Sequence, residues 1–147
     1  MSASVREQIV EAVVAALTNN NPPAPVYRSR VQPLSSAETL PAYVVYPHGR
    51  EPAERLGMEA VKHTLTLRVE ALVKGQPPLD QALDPLLTYA VQTISADPAV
   101  AALVIDVIEE SAEWEMESAY EDVGAGAQDF TVTYATLRGD PTTQASD

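Results

Sequence analysis

Apolar and polar residues alternate most regularly from Val61 to Val73. Val61, His63, Leu65, Leu67, Val69, Ala71 and Val73 share one face, and Lys62, Thr64, Thr66, Arg68 and Glu70 the other. A period of two over that length predicts a long strand with one buried face. A helical period appears at Ser4 to Leu17, where Val5, Ile9, Ala12, Val13, Ala16 and Leu17 form a stripe and Arg6, Glu7 and Glu11 turn away. Ser4 followed three residues later by Glu7 has the form of a capping box. Asn19-Asn20-Asn21-Pro22-Pro23 stops that helix, because Asn favours turns and Pro22 disfavours helix at Asn21. Val26 to Val31 and the apolar run Ala42 to Tyr46, bounded by Pro41 and Pro47, read as two shorter strands. The segment between them and the long strand, Pro47 to Ala60, is rich in Pro, Gly and charge and predicts an exposed loop or an extended hairpin arm.

Gly75-Gln76-Pro77-Pro78 ends the long strand, after which Leu79, Leu83, Leu86, Leu87, Ala90, Val91 and Ile94 make a second helical stripe. Pro85 lies within it. A proline costs about 3 kcal/mol in a helix interior and little in the first turn, so the expected start is Asp84 as cap with Pro85 at the first position. Asp97-Pro98 opens a further short turn through Leu103. Two strands then follow. Val104 to Glu117 alternates Ile108, Ala112, Trp114 and Met116 with Glu109, Ser111, Glu113, Glu115 and Glu117, and Phe130 to Arg138 alternates Phe130, Val132 and Tyr134 with Thr131, Thr133 and Ala135. Trp114 and Phe130 are expected in the core, with Gly124-Ala125-Gly126 as a flexible turn between the strands. Residues 1–139 then form one domain and 140–147 a polar, flexible tail. This order predicts an α/β (α+β) fold, a mainly antiparallel or mixed sheet of about five strands with two to three helices packed on it.

Charge changes the picture more than composition does. The net charge is -12. Residues 1–74 sum to +1 and residues 75–147 to -13, with no basic residue between Lys74 and Arg138. Such a surface repels nucleic-acid phosphates and anionic lipid and suits a basic protein partner or a non-sticking surface. The chain has no cysteine, which excludes disulfides and thiolate metal sites. Its apolar runs are far shorter than the roughly 20 residues that cross a bilayer, so a soluble protein with no membrane partner is expected.

Candidate chemistry is sparse. Glu109, Glu113, Glu115 and Glu117 are read as one acidic strand face, an open row rather than the converging oxygens a hard cation needs. His63 falls on the apolar face and is read as a satisfied strand histidine. No G-x-S-x-G, P-loop or G-x-G-x-x-G occurs, so neither catalysis, a metal nor a cofactor is expected. Arg28 and Arg30 share a face and form a candidate subunit-interface edge, complementary to the glutamate row of a second copy. His48, Arg50, Glu51, Glu54 and Arg55 in the Pro47 to Ala60 segment are candidate contacts to a partner.

In order, the segments Val5-Arg6-Glu7-Gln8-Ile9-Val10, Pro25-Val26-Tyr27-Arg28-Ser29-Arg30, Leu40-Pro41-Ala42-Tyr43-Val44-Val45-Tyr46, Leu65-Thr66-Leu67-Arg68-Val69-Glu70 and Asp129-Phe130-Thr131-Val132-Thr133-Tyr134 run through nearly the whole chain. Together they resemble the tail terminator or minor tail proteins of long-tailed bacteriophages, the lambda-type family. The resemblance implies a virion structural protein at the head-proximal end of the tail. There, six copies form a ring that stops tail-tube polymerisation and offers a docking surface to a head-tail connector or neck protein. It transfers no catalytic residue. Under it, the glutamate face is expected to line a channel that lets DNA pass without binding, and the Pro47 to Ala60 segment to contact the tube protein or a neighbouring subunit. Two other classes fit the charge: an acidic DNA-mimic inhibitor of a basic host factor, and, less well, a small acid hydrolase or metal-dependent enzyme.

Overall fold

The computed structural model describes residues 3–28, 41–75, 78–115 and 123–145. In chain order the elements are α1 (Val5–Asn19), β1 (Val26–Arg28), β2 (Ala42–Pro47), β3 (Ala53–Leu56), β4 (Ala60–Lys74), α2 (Leu79–Ala96), α3 (Pro98–Leu103), β5 (Asp106–Glu115), β6 (Val123–Leu137) and β7 (Asp140–Gln144). The fold is α+β: one mixed sheet with helices on one face.

The long alternation becomes β4, and its partner is β6. The two run antiparallel in unbroken register from Ala60↔Leu137 to Lys74↔Val123. Along the outer edge of β4 lie β2 and, further on, β3, both antiparallel to it; β1 adds to β2 in parallel. Along the outer edge of β6 lie β5 and β7. Cross-strand partners share a face. Leu65, Leu67 and Val69 therefore join Phe130, Val132, Tyr43 and Val45 in a core closed by Ile9, Val13 and Leu17 of α1 and Leu83, Ala90 and Ile94 of α2. Inside that core the Tyr43 hydroxyl donates to the Leu86 carbonyl oxygen at 2.6 Å, which satisfies a buried polar group. Among the described residues, the opposite sheet face carries a smaller apolar cluster, Ala42 and Val44 with Tyr27, Tyr46 and Leu72.

Helix α1 begins where the capping pattern places it: the Ser4 Oγ accepts from the Glu7 N–H at 3.0 Å. The Glu7 carboxylate does not turn back to the cap but pairs with Arg28 on β1. Helix α2 starts six residues earlier than expected, at Leu79, and keeps Pro85 in its interior. Pro85 and Gln81 both face solvent, so water can satisfy the Gln81 carbonyl that the proline leaves without a donor. The earlier start gains the burial of Leu79 and Leu83 against β6.

Three other expectations are corrected. Gly124-Ala125-Gly126 is not a turn but the start of β6, where the missing side chains let α2 lie close to the sheet. A Cβ at Gly124 would fall 2.9 Å from the Leu79 Cβ, and one at Gly126 would fall 3.3 Å from a Leu87 methyl. The polar stretch after Gly139 is a strand, not a flexible tail, over Asp140–Gln144. Gly139 turns the chain back at φ 77, and the Gln144 side chain donates to the Ala102 carbonyl oxygen at 3.0 Å. Trp114 stands outside the core and is 53% exposed, whereas Phe130 is fully buried as expected.

Gly124→Ala is therefore expected to destabilise the protein by about 1–2 kcal/mol, because the obstructing atom is the root of a helix side chain rather than its flexible end. Urea unfolding checks this; an unchanged midpoint would mean that α2 does not lie so close to β6.

Candidate functional site

Strand β5 sits at the edge of the sheet and, apart from Val107, every residue of it is exposed. Its register shifts between Glu109 and Ser111, which leaves Glu110 as an extra residue and turns the strand over. Before the bulge, Glu109 opposes the core residue Phe130; after it, Glu113 opposes Ala127 and Glu115 opposes Ala125 on the open face. The single glutamate face read from the alternation is thus split: Glu109 lies on the helix side with Trp114, and Glu113 and Glu115 on the other. Buried Gln128 holds the bulge, donating through its amide to the Ser111 carbonyl oxygen at 3.0 Å. Glu117 and Arg30 lie outside the described residues.

Nor is every carboxylate on this edge open. Arg68 of β4 reaches across β6, donating through Nε to Asp129 Oδ1 at 2.8 Å and through a terminal nitrogen to Oδ2 at 3.0 Å, and it also pairs with Glu113. Asp129, then burial in the opposite sense, then Glu113 set the Arg68 pKa, which stays raised. Arg68 and Asp129 face each other in register, which no motif announces: Arg68 reads only as one polar position of an alternating strand. Asp106, Glu109, Glu110 and Glu115 have no basic partner among the described residues, and Ile105, Ile108 and Trp114 stand exposed among them.

Of the candidate basic edge, Arg28 has a partner within the chain. Arg28 donates to both Glu7 oxygens, one at 2.6 Å, so its charge is met within the chain. The pairing raises the Arg28 pKa and lowers that of Glu7.

The Pro47 to Ala60 segment resolves into a clamped base and a projecting arm. Glu51 is the clamp: Arg6 of α1 donates to its carboxylate, the Tyr134 hydroxyl donates to Oε1 at 2.8 Å, and His63 Nδ1 lies 3.9 Å from Oε2. Burial pushes the Glu51 carboxyl up, but the hydrogen bonds from Arg6 and Tyr134 outweigh it and hold it below the usual carboxylate range. His63 stacks on Tyr134 with ring centroids 4.7 Å apart and shares a hydrogen bond with Thr136 at 3.0 Å. Burial holds its pKa down, against the pull of Glu51. His63 is thus a packed, partnered strand residue. His48 is anchored through its backbone, whose N–H donates to the Thr66 carbonyl oxygen at 2.9 Å.

Beyond the clamp, β3 folds back on β4 as a hairpin whose turn carries Gly57 and Met58, the latter 76% exposed. Glu54 pairs with Lys62 across it. Arg55 lines a shallow groove with Val61 and Arg138, and the Arg138 backbone N–H donates to the Glu59 carbonyl oxygen at 2.7 Å. The sequence alone does not join Arg138 to this arm; the β4–β6 register does. Arg50, Arg55 and Arg138 are exposed and have no acidic partner among the described residues. Among the described residues no three His, Asp or Glu side chains gather as a metal site, and no helix is long and apolar enough to cross a membrane. Comparison with models of protein families finds no match, and comparison with curated proteins finds none either.

Glu51→Gln keeps the shape of the clamp and removes its charge. It is expected to cost about 1 kcal/mol at pH 7, a modest figure because Arg6 is half exposed. The folded Glu51 carboxyl lies below its unfolded value, so its contribution is complete above about pH 4.3 and is lost as pH falls through the folded value. The gap between variant and wild type should therefore close in acid. Thermal melts from pH 7 to pH 3 check this, and a gap independent of pH would assign the loss to shape rather than charge.

Proposed function

We propose that this chain is a structural, ring-forming subunit of the tail terminator type found in long-tailed phages. Six copies would cap the tail tube, stop its growth and present a surface for head-tail joining. The observation that carries this reading is strand β5, an edge strand exposed along almost its whole length, studded with large apolar side chains and held in a bulged register. A monomer gains nothing from leaving Ile105, Ile108 and Trp114 in water, whereas an assembly subunit buries them on a neighbour. The second support is the resemblance carried in order by the five segments quoted above.

Charge fits the same role. With Arg68, Arg28 and Lys62 already paired inside the chain, the outward potential of the second half is set by unpaired carboxylates. Facing a channel, Glu115 and its neighbours on the open face would repel passing DNA rather than hold it. The same acidic edge also suits a DNA mimic that occupies a basic host factor, and the test separates the two.

Light scattering on the purified protein, across concentration and salt and then with the cognate tube protein added, is expected to give a six-copy species that halts tube elongation. A monomer that leaves tube length unchanged at every concentration would sink the terminator reading. One-to-one, salt-sensitive binding to a basic host protein would then favour the mimic.

A further inference from the structure

Trp114 is the only tryptophan of the chain, and it is not isolated on its edge strand. It opposes Gly126, so its side chain stands on the helix face of the sheet, whereas Ile108 opposes Thr131 and stands on the open face. One edge of the indole is held. Its Cδ1 lies 3.5 Å from where a Gly126 Cβ would be, beside methyl groups of Leu83 and Leu87. The rest of the ring forms one side of an open groove whose other side is Asp80, Gln81, Asp84 and Pro85 of α2. All four are exposed, and their spacing puts them on one stripe of the helix.

The groove is selective in what it offers. Both charges in it are negative, and neither α2, β5 nor β6 contains a lysine or arginine to answer them. Asp80 and Asp84 are one helical turn apart, with Cβ atoms about 6 Å from each other, so one forked cation can address both. The helix dipole offsets part of the Asp80 charge in the first turn, which leaves Asp84 the stronger attractor. Pro85 adds an acceptor: lacking an N–H, it leaves the Gln81 carbonyl without its helical donor on that same stripe. An aromatic face, two carboxylates and a spare carbonyl together fit a flat cation that donates in several directions. A guanidinium is such a cation, with five N–H donors, no acceptor and a plane that stacks on indole, whereas an ammonium is a point charge.

We infer that the groove between α2 and Trp114 is a docking site for an arginine side chain carried by a segment of a partner protein. The guanidinium lies flat on the indole, Asp80 and Asp84 accept its N–H groups, and the Pro85 ring packs on its methylene stem. Because the groove is open, it admits a residue still attached to its own chain. The inference goes beyond the ring reading and stands without it, since Ile108 on the other face is left to a neighbouring copy.

The fluorescence of Trp114 reports the groove directly, because no other tryptophan contributes. Titrating the full chain with a short oligoarginine peptide should give a saturable change, and oligolysine of equal length should bind several-fold more weakly. Asp80→Asn with Asp84→Asn should weaken arginine binding about tenfold, and Trp114→Leu, followed by calorimetry, several-fold. Glu59→Gln with Glu115→Gln removes the same charge from exposed positions outside the groove and should change binding by no more than about twofold. Equal weakening by the two charge pairs would overturn the site and leave only adventitious attraction to an acidic protein; a Trp114 signal that never saturates would overturn it too. A peptide without effect, combined with lost self-association in the Asp80 and Asp84 variant, would assign the groove to a second copy and refute the partner segment. Should the double variant melt early, Asp84→Asn alone carries the test and should still weaken binding about threefold. Binding is read in whatever assembly the chain adopts, so failure of the ring reading and failure of this site are told apart.

Discussion

Everything in this molecule hangs on one strand pair. β4 and β6 face each other without a break from Ala60↔Leu137 to Lys74↔Val123, and among the described residues no other pair of elements is matched over such a length. Each of their outer edges is long enough to carry two shorter strands: β2 and β3 on one side, β5 and β7 on the other. The central pair buries Leu65, Leu67, Phe130 and Val132 under the helices, and at one end it outruns the core and becomes the base of the projecting arm. The same ribbon thus supplies both the stable part of the fold and the lever on which the exposed hairpin is mounted.

The helix layer depends on that ribbon through small residues. Gly124, Gly126 and Ala71 leave a trough on the sheet into which Leu79, Leu83 and Leu87 settle. This is why a helix containing Pro85 forms anyway: the apolar burial at its first turn outweighs a missing hydrogen bond on its solvent side. Local propensity loses to packing there, as tertiary context often makes it do.

Much of the fold was legible in the sequence because its main elements have clean periods. The stripe from Val5 to Leu17 and the alternation from Val61 to Val73 each have one answer, and together with the second helix they fix an α+β sheet with helices on one side. What could not be read was whatever depends on partners. Gly124 to Gly126 looks like a turn until α2 is laid against it, and Asp140–Gln144 looks like a tail until the edge of β6 is free to receive it. Trp114 looks like core until β5 is placed at the edge of the sheet, beyond the cover of the helices. The candidate site shows the same division. That Glu113 and Glu115 share a face follows from the period, but the separation of Glu109 from them does not. Arg28 and Glu51 show their charge in the sequence and conceal their partners, Glu7 and Arg6, which only folding brings near.

The bulge at Glu110 also bears on how the protein behaves on its own in solution. An exposed ten-residue edge with large apolar side chains is the kind of template on which chains stack into endless sheets. Here the extra residue breaks the regular spacing of hydrogen-bonding groups, and the unpaired carboxylates set like charge against like charge whenever two such edges approach. The isolated chain is thereby protected from fibre formation along its most exposed edge.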